Sequence, residues 1–140
     1  MHWSLVCAGM ADITRLIEIP GLPATRSLSY ANAVIAGDLV FVAGQAGLDE
    51  QGRLVSPEFV PQARRTFENM QVALRAAGSD LSEILTMTVF IADWRYGADF
   101  TRVRGEFLGD SLAASATIGI GQLAYPDMLV EVQCTAARRT

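Results

Sequence analysis

The chain contains no lysine: all 11 of its basic residues are arginines. That excludes a lysine Schiff base and a lysine-mediated proton transfer. It contains one histidine, His2, at the very start, so no Ser-His or Cys-His pair is available in the patterned sequence that follows. It has two cysteines, Cys7 and Cys134, which give neither a disulfide framework nor a zinc-ligand spacing and fit a reducing cytoplasm. No apolar run approaches the roughly 20 residues that a membrane-spanning helix needs, so no membrane partner is expected. The opening MHWSLVCAG lacks a basic segment and is followed at once by Asp12 and Arg15, which argues against a signal peptide. Positive charge is scarce overall. The net charge is −4, and a basic face is what phosphate binding requires, so nucleic acid is a poor candidate partner.

What is present is enough for one domain. A chain of 140 residues with 51% hydrophobic and 19% charged residues can build a single core and is not compositionally disordered. Residues 1–13 read as a flexible extension, with Met10 as a possible alternative start, and 14–138 as one domain. Thr14–Ile19 is a short strand stopped by Pro20-Gly21-Leu22-Pro23. Tyr30–Ile35 and Leu39–Ala43, separated by Gly37-Asp38, form a hairpin. Leu54-Val55 reads as a short extension after a glycine-marked loop. Ser56-Pro57-Glu58 opens a helix whose Val60, Ala63, Phe67, Met70 and Leu74 share one face and which stops at Gly78. Gln62, Arg64, Arg65, Glu68 and Arg75 fill the rest of that helix. Ile84–Ala92 is a strand, 98–108 a second helix, and Ala116–Ile120 and Leu129–Thr135 the last strands.

The order of elements indicates an α+β domain: a mixed sheet of about six strands with two helices on one face. On this reading Val40, Val42, Val89, Ile91, Val130 and Val132 are left on the open face. An apolar face of that kind calls for a partner subunit, so an oligomer is expected.

Particular segments carry a resemblance. Tyr30-Ala31-Asn32-Ala33-Val34 with Gly37-Asp38-Leu39-Val40-Phe41-Val42-Ala43-Gly44-Gln45 resembles the YjgF/RidA opening, roughly Y-S-x-A-V then G-[ND]-x-[VL]-[FY]-[VL]-[SA]-G-Q. Gln62 to Met70 resembles the family helix Q-x-R-x-x-x-E-N-[IL]. Thr86 to Asp93 resembles K-x-T-V-[FY]-[LI]-x-D, and Leu129-Val130-Glu131-Val132 resembles [LV]-[VI]-E-[IV]. The matches run in order over about residues 14–138. The resemblance implies a chorismate-mutase-like fold, a homotrimer, clefts between subunits that bind small metabolites, and no metal or organic cofactor. It also implies an arginine before the fifth strand, in a P-A-R-[ST]-x-[VIL] pattern, that holds a substrate carboxylate. Here Ala113-Ala114-Ser115-Ala116-Thr117-Ile118 aligns with that pattern and Ser115 takes the arginine's place. A hydroxyl offers one neutral bond where a guanidinium offers a bidentate, charge-assisted pair.

The candidate site follows from these residues. Glu131 sits in an apolar strand, where a carboxylate must be bonded, paired or neutral. It reads either as an acid/base that orders a water, which is the role the resemblance implies, or as a carboxylate bonded to its neighbours. Tyr30 either donates to a substrate oxygen or closes a wall. Ser115 and Thr117 alternate in a strand, so both project to one face and could line the same pocket. Arg95 either supplies a cation from another direction or is a solvated loop residue, and Trp94 is a packing residue or a cleft wall. Gly44, in the Gly44-Gln45 pair, completes the substrate-binding set. Cys134 falls on the strand face opposite Glu131 and reads as a buried, inert thiol.

Together these readings describe a Rid-type protein with an unusual pocket. It would act on a small imine, enamine or carbonyl by hydrolysis, proton transfer or tautomerisation, in a setting such as specialised metabolism. The alternatives are a non-catalytic small-molecule-binding trimer and a regulatory interaction module.

Overall fold

The computed structural model describes residues 12–139. His2, Cys7 and most of the expected N-terminal extension therefore lie outside the described residues.

The chain runs β1 (Ile13–Leu16), β2 (Ala33–Ala36), β3 (Leu39–Ala46), α1 (Phe59–Ala76), β4 (Ile84–Ile91), α2 (Gly97–Leu108), β5 (Ala114–Gly119) and β6 (Val130–Ala137). The strands form one six-stranded sheet in the order β1-β2-β3-β6-β4-β5. Only β4 and β5 pair in parallel; the other neighbours are antiparallel. The parallel pair is the one joined by a helix, because a parallel return needs a crossover that a tight turn cannot supply.

The expected elements are all present, with shifted ends. The first strand is shorter than Thr14–Ile19, and Ile13, placed in the extension by its sequence, opens it. Tyr30 is not in a strand: a single 3-10 turn at Arg26–Leu28 precedes it, and Ser29 takes a left-handed φ of 64°. The α1 helix begins at Phe59, because Ser56 Oγ accepts from the Glu58 amide and closes a separate turn just upstream. Leu54 makes an isolated antiparallel bridge to Leu48. The helix ends where Gly78 adopts φ +82° and the Ser79 amide bonds back to Leu74 O.

Both helices pack on the same side of the sheet. Ala63, Phe67, Met70 and Leu74 are fully buried, and Phe67 stacks on Phe100 and Phe107 with ring centroids at 5.8 and 5.1 Å. The face these helices cover is the one carrying Val40, Val42, Val89, Ile91, Val130 and Val132. This corrects the expectation that those residues form the open face. A helix layer seals the β-branched side of a sheet, because that side has the most apolar area to remove from water.

The uncovered face is formed by the alternate residues. Phe41, Thr135, Thr86 and Ala114 lie in one cross-strand row; Phe90 pairs with both Glu131 and Ile118. Leu39, Phe41 and Ile118 remain well exposed on this face. Cys134 points the other way, into the core, and burial pushes its thiol up to about 12.

Candidate functional site

Glu131 is fixed by β6, in the centre of the sheet between β3 and β4. Its neighbours on the two sides are Ala46 and Phe90. Strand β3 bulges between Val42 and Gln45, so Ala43 and Gly44 together face the single residue Gln133. The bulge brings the Gly44 backbone over the Glu131 side chain. A Cβ at Gly44 would overlap Glu131 Oε1 and sit 2.9 Å from its Cδ. Glycine at position 44 is therefore what leaves the carboxylate its place.

The carboxylate opens into a cavity of about 880 Å³, whose wall includes Tyr30, Asn32, Gly44, Asn69, Tyr125 and Glu131. Much of its polar lining is committed to shaping the wall. Asn32 Nδ2 donates to Ile17 O at 3.0 Å, and Asn69 Nδ2 donates to Ala46 O and Leu48 O at 3.0 and 2.9 Å. Glu131 differs. Among the described residues no side chain or amide donates to it and no cation pairs with it; burial alone raises its pKa above the ordinary 4.5. Tyr30 is also raised, first by burial and then by the charges of Glu131 and Tyr125, which places the three groups within electrostatic reach of one another.

Tyr125 belongs to a loop that a buried glutamine secures. Gln62, on α1, donates through Nε2 to Ser56 O and Asp127 O, both at 2.9 Å, and accepts through Oε1 from the Leu129 amide at 2.9 Å. Its sequence context assigns Gln62 to the polar side of the helix, whereas it is fully buried. The signal was available: Gln62 stands three residues after Phe59 and four before Thr66, inside the buried stripe.

Tyr30, Gly44 and Glu131 thus meet in one cavity. The other candidates do not line it. Ser115 and Thr117 do share a face, but parallel pairing sets them beside Met87 and Val89, on the helix side. Ser115 Oγ accepts from Arg104 Nη1 at 3.0 Å. Within this chain their hydroxyls therefore point away from Glu131; the β5 residues on the Glu131 side are Ala114, Ala116 and Ile118. Arg95 Nε is bonded to Asp93 Oδ2 at 2.6 Å beside the short 3-10 turn Trp94–Tyr96. Trp94 is 63% exposed and lies against Gly97. Among the described residues no group of three or more His, Cys, Asp or Glu is placed to hold a metal ion, and no helix is long and apolar enough to cross a membrane.

One prediction concerns the carboxylate's seat. In Gly44→Ala the new methyl must push Glu131 toward the cavity, its open side. The Glu131 pKa, read by carboxyl ¹³C NMR titration, is expected to fall toward 4.5. An unmoved titration would mean that the bulge does not hold the carboxylate.

The fold and cavity define a small α+β protein whose central strand sets an unpartnered carboxylate in the wall of a cavity. The chain belongs to the family described as Endoribonuclease L-PSP, the YjgF/RidA family, whose sequence profile matches residues 23–138. It is 32% identical over 108 residues to a RutC family protein of Pyrococcus horikoshii, covering 76% of this chain and 85% of that one. It is 26% identical over 110 residues to a 2-iminobutanoate/2-iminopropanoate deaminase of Dermatophagoides farinae, covering 78% and 85%. The crystal structure of RidA from an Antarctic Psychrobacter superposes with a TM-score of 0.82 at 27% identity, over 89% of this chain and 99% of that one.

Proposed function

We propose that this protein hydrolyses a small imine or enamine, with Glu131 managing the protons, in a pocket completed by a neighbouring copy in a homotrimer. The observation that carries the reading is the half-buried Glu131 carboxylate, unpartnered and facing a cavity beside Tyr30. A carboxyl group with a raised pKa can act as acid and as base near neutral pH.

The steps balance with one shared proton. Glu131 and the imine nitrogen hold that proton between them, giving an iminium and a carboxylate. The carboxylate takes a proton from water as its oxygen bonds to the iminium carbon. Returning that proton to nitrogen makes it a leaving group; as the C–N bond breaks the carboxylate takes the hydroxyl proton, so ammonia leaves with a carbonyl product and Glu131 holds its proton again. An enamine joins the same route after a proton is added at carbon. Tyr30 would donate to the developing oxygen or orient the water. The deaminase from Dermatophagoides farinae among the relatives favours this chemistry. The family description's endoribonuclease reading is less suited to the pocket, since no lysine or arginine is among its lining residues to meet a phosphodiester.

The neighbouring copy is supported by the uncovered sheet face, where Leu39, Phe41 and Ile118 are exposed together with polar Thr86 and Gln133. The test follows ammonia release from imines generated in situ by an amino-acid or amine oxidase, with catalase present, alongside sedimentation of the same sample. Glu131-dependent release by a trimer is the expected result. No acceleration of any imine by the assembled protein, or a monomer in sedimentation, would overturn the reading.

A further inference from the structure

The charge around the cavity restricts what it can hold. Its ionisable lining consists of the carboxylates Glu50 and Glu131 and the phenols Tyr30 and Tyr125; none of the lining residues is basic. Arginines stand near its walls without lining it, each with partners of its own: Arg26, between Thr25 and Ser27, lies 3.9 Å from Glu18. Arg65 Nε bonds Leu48 O and Asn69 Oδ1 at 3.2 and 3.1 Å, and Arg53 Nε pairs with Asp49 at 3.1 Å. The β5 residues that share the Glu131 face are Ala114, Ala116 and Ile118, which bring no charge. The arginine of that face, Arg15, lies on the edge strand β1, with β2 and β3 between it and β6.

A negatively charged ligand would therefore enter a cavity whose lining from this chain carries carboxylates and offers it no counter-ion. A ligand carrying an N–H cation meets the opposite situation. Glu131 has free acceptor capacity, and two tyrosine rings stand in the same cavity. A carboxylate and aromatic faces together favour a planar nitrogen cation, through charge-assisted hydrogen bonds and cation–π contact.

We infer that the cavity selects a cationic, carboxylate-free imine or amidine-like group, bound through its N–H to Glu131 and flanked by Tyr30 and Tyr125. This rests on reading the same cavity as the reaction site. It assigns the substrate to amine-derived imines, such as those left by oxidation of a simple amine, and not to 2-imino acids, whose carboxylate would face Glu131 and Glu50.

An isosteric series tests the charge preference directly: benzamidine, benzamide and benzoate share a shape and differ in charge. Each is titrated into the assembled protein near neutral pH by calorimetry. Benzamidine is expected to bind once per chain and about tenfold or more tighter than benzoate, the scale of one charge-assisted contact. Glu131→Gln should weaken benzamidine by about tenfold and change benzamide by less than about twofold. Tyr125→Ala, which leaves the carboxylate in place, should also weaken benzamidine and identifies the cavity as the location. Benzoate binding as tightly as benzamidine, absence of saturable benzamidine binding at millimolar concentration, or a preference that survives Glu131→Gln would each overturn the inference. Ammonia release separates this result from the functional reading. Glu131-dependent release from 2-iminopropanoate with no preference for benzamidine leaves hydrolysis standing and removes the substrate class. A benzamidine preference without release from any imine does the reverse.

Discussion

Glu131→Gln is expected to lose turnover and gain stability at the same time. Removing a general acid/base typically costs about 10²–10⁴-fold in rate. Glutamine keeps the shape and polarity of the side chain but cannot exchange the proton. The stability effect follows from the pKa direction. Burial raises the folded-state pKa of Glu131 above 4.5, with no bond or cation to offset it. The folded protein therefore holds this proton more tightly than the unfolded chain does. Its contribution to stability is fully present below the ordinary value and is lost as pH rises through the raised one. At pH above the raised value the native protein carries an uncompensated, half-buried charge, which glutamine removes. The variant should melt a few degrees higher there, a shift of the size that ~1 kcal/mol or less produces in a domain of this length after discounting for partial solvation. Below about pH 4, where both states are protonated, the two proteins should melt together. The pH dependence of turnover should show a limb above 4.5 that disappears in the variant. A variant that is slow but no more stable near neutral pH would mean that a bond or a cation compensates Glu131 in solution.

The same residue shows what the sequence made legible. Glu131 stands out because it interrupts Leu129 to Val132, and a carboxylate in such a run has to be explained. Tyr30 and Gly44 could be grouped with it through the family motifs, and all three line one cavity. The α1 stripe of Ala63, Phe67, Met70 and Leu74 was legible because helical periodicity is local. The faces of the sheet were not. Alternation in Val130-Glu131-Val132 separates two faces but does not say which one the helices cover; in β3, Leu39 and Phe41 make the second face apolar as well. The orientation of Ser115 and Thr117 was hidden for a related reason. Alternation puts them on one face together, but only the parallel register with Met87 and Val89 decides which face that is. That register is set by the α2 crossover, a long-range feature. The place Gly44 leaves for Glu131 is equally non-local, since it joins residues 44 and 131 across a bulge.

Gln62→Leu is expected to give the largest loss of stability of any change outside the apolar core, although leucine suits a buried helix position by volume and propensity. The glutamine side chain serves three backbone groups from two segments far apart in sequence: Ser56 O, Asp127 O and the Leu129 amide. Leucine would leave all three without this partner. An unmet buried polar group costs about 1–3 kcal/mol, but the loop groups can partly recover by meeting water, so a total of about 2–4 kcal/mol is expected from chemical denaturation. Gln62→Glu tests the division of labour. A glutamate can accept from the Leu129 amide but has no Nε2 to donate to the two carbonyls, so it should recover only a part of the loss. Gly47 adds an independent check, because a Cβ there would lie 2.6 Å from Gln62 Cα. Gly47→Ala must shift the same turn of α1 and should destabilise in the same direction. The functional consequence separates a merely structural glutamine from one that also positions the site. Gln62 anchors the segment that carries Tyr125 and leads directly into β6 and Glu131. At a temperature where the Gln62→Leu protein is still folded, benzamidine affinity and imine turnover should both fall, since a freed Tyr125 loop no longer closes the cavity. Unchanged binding in a folded but weakened variant would confine Gln62 to stability and make the Tyr125 loop self-supporting.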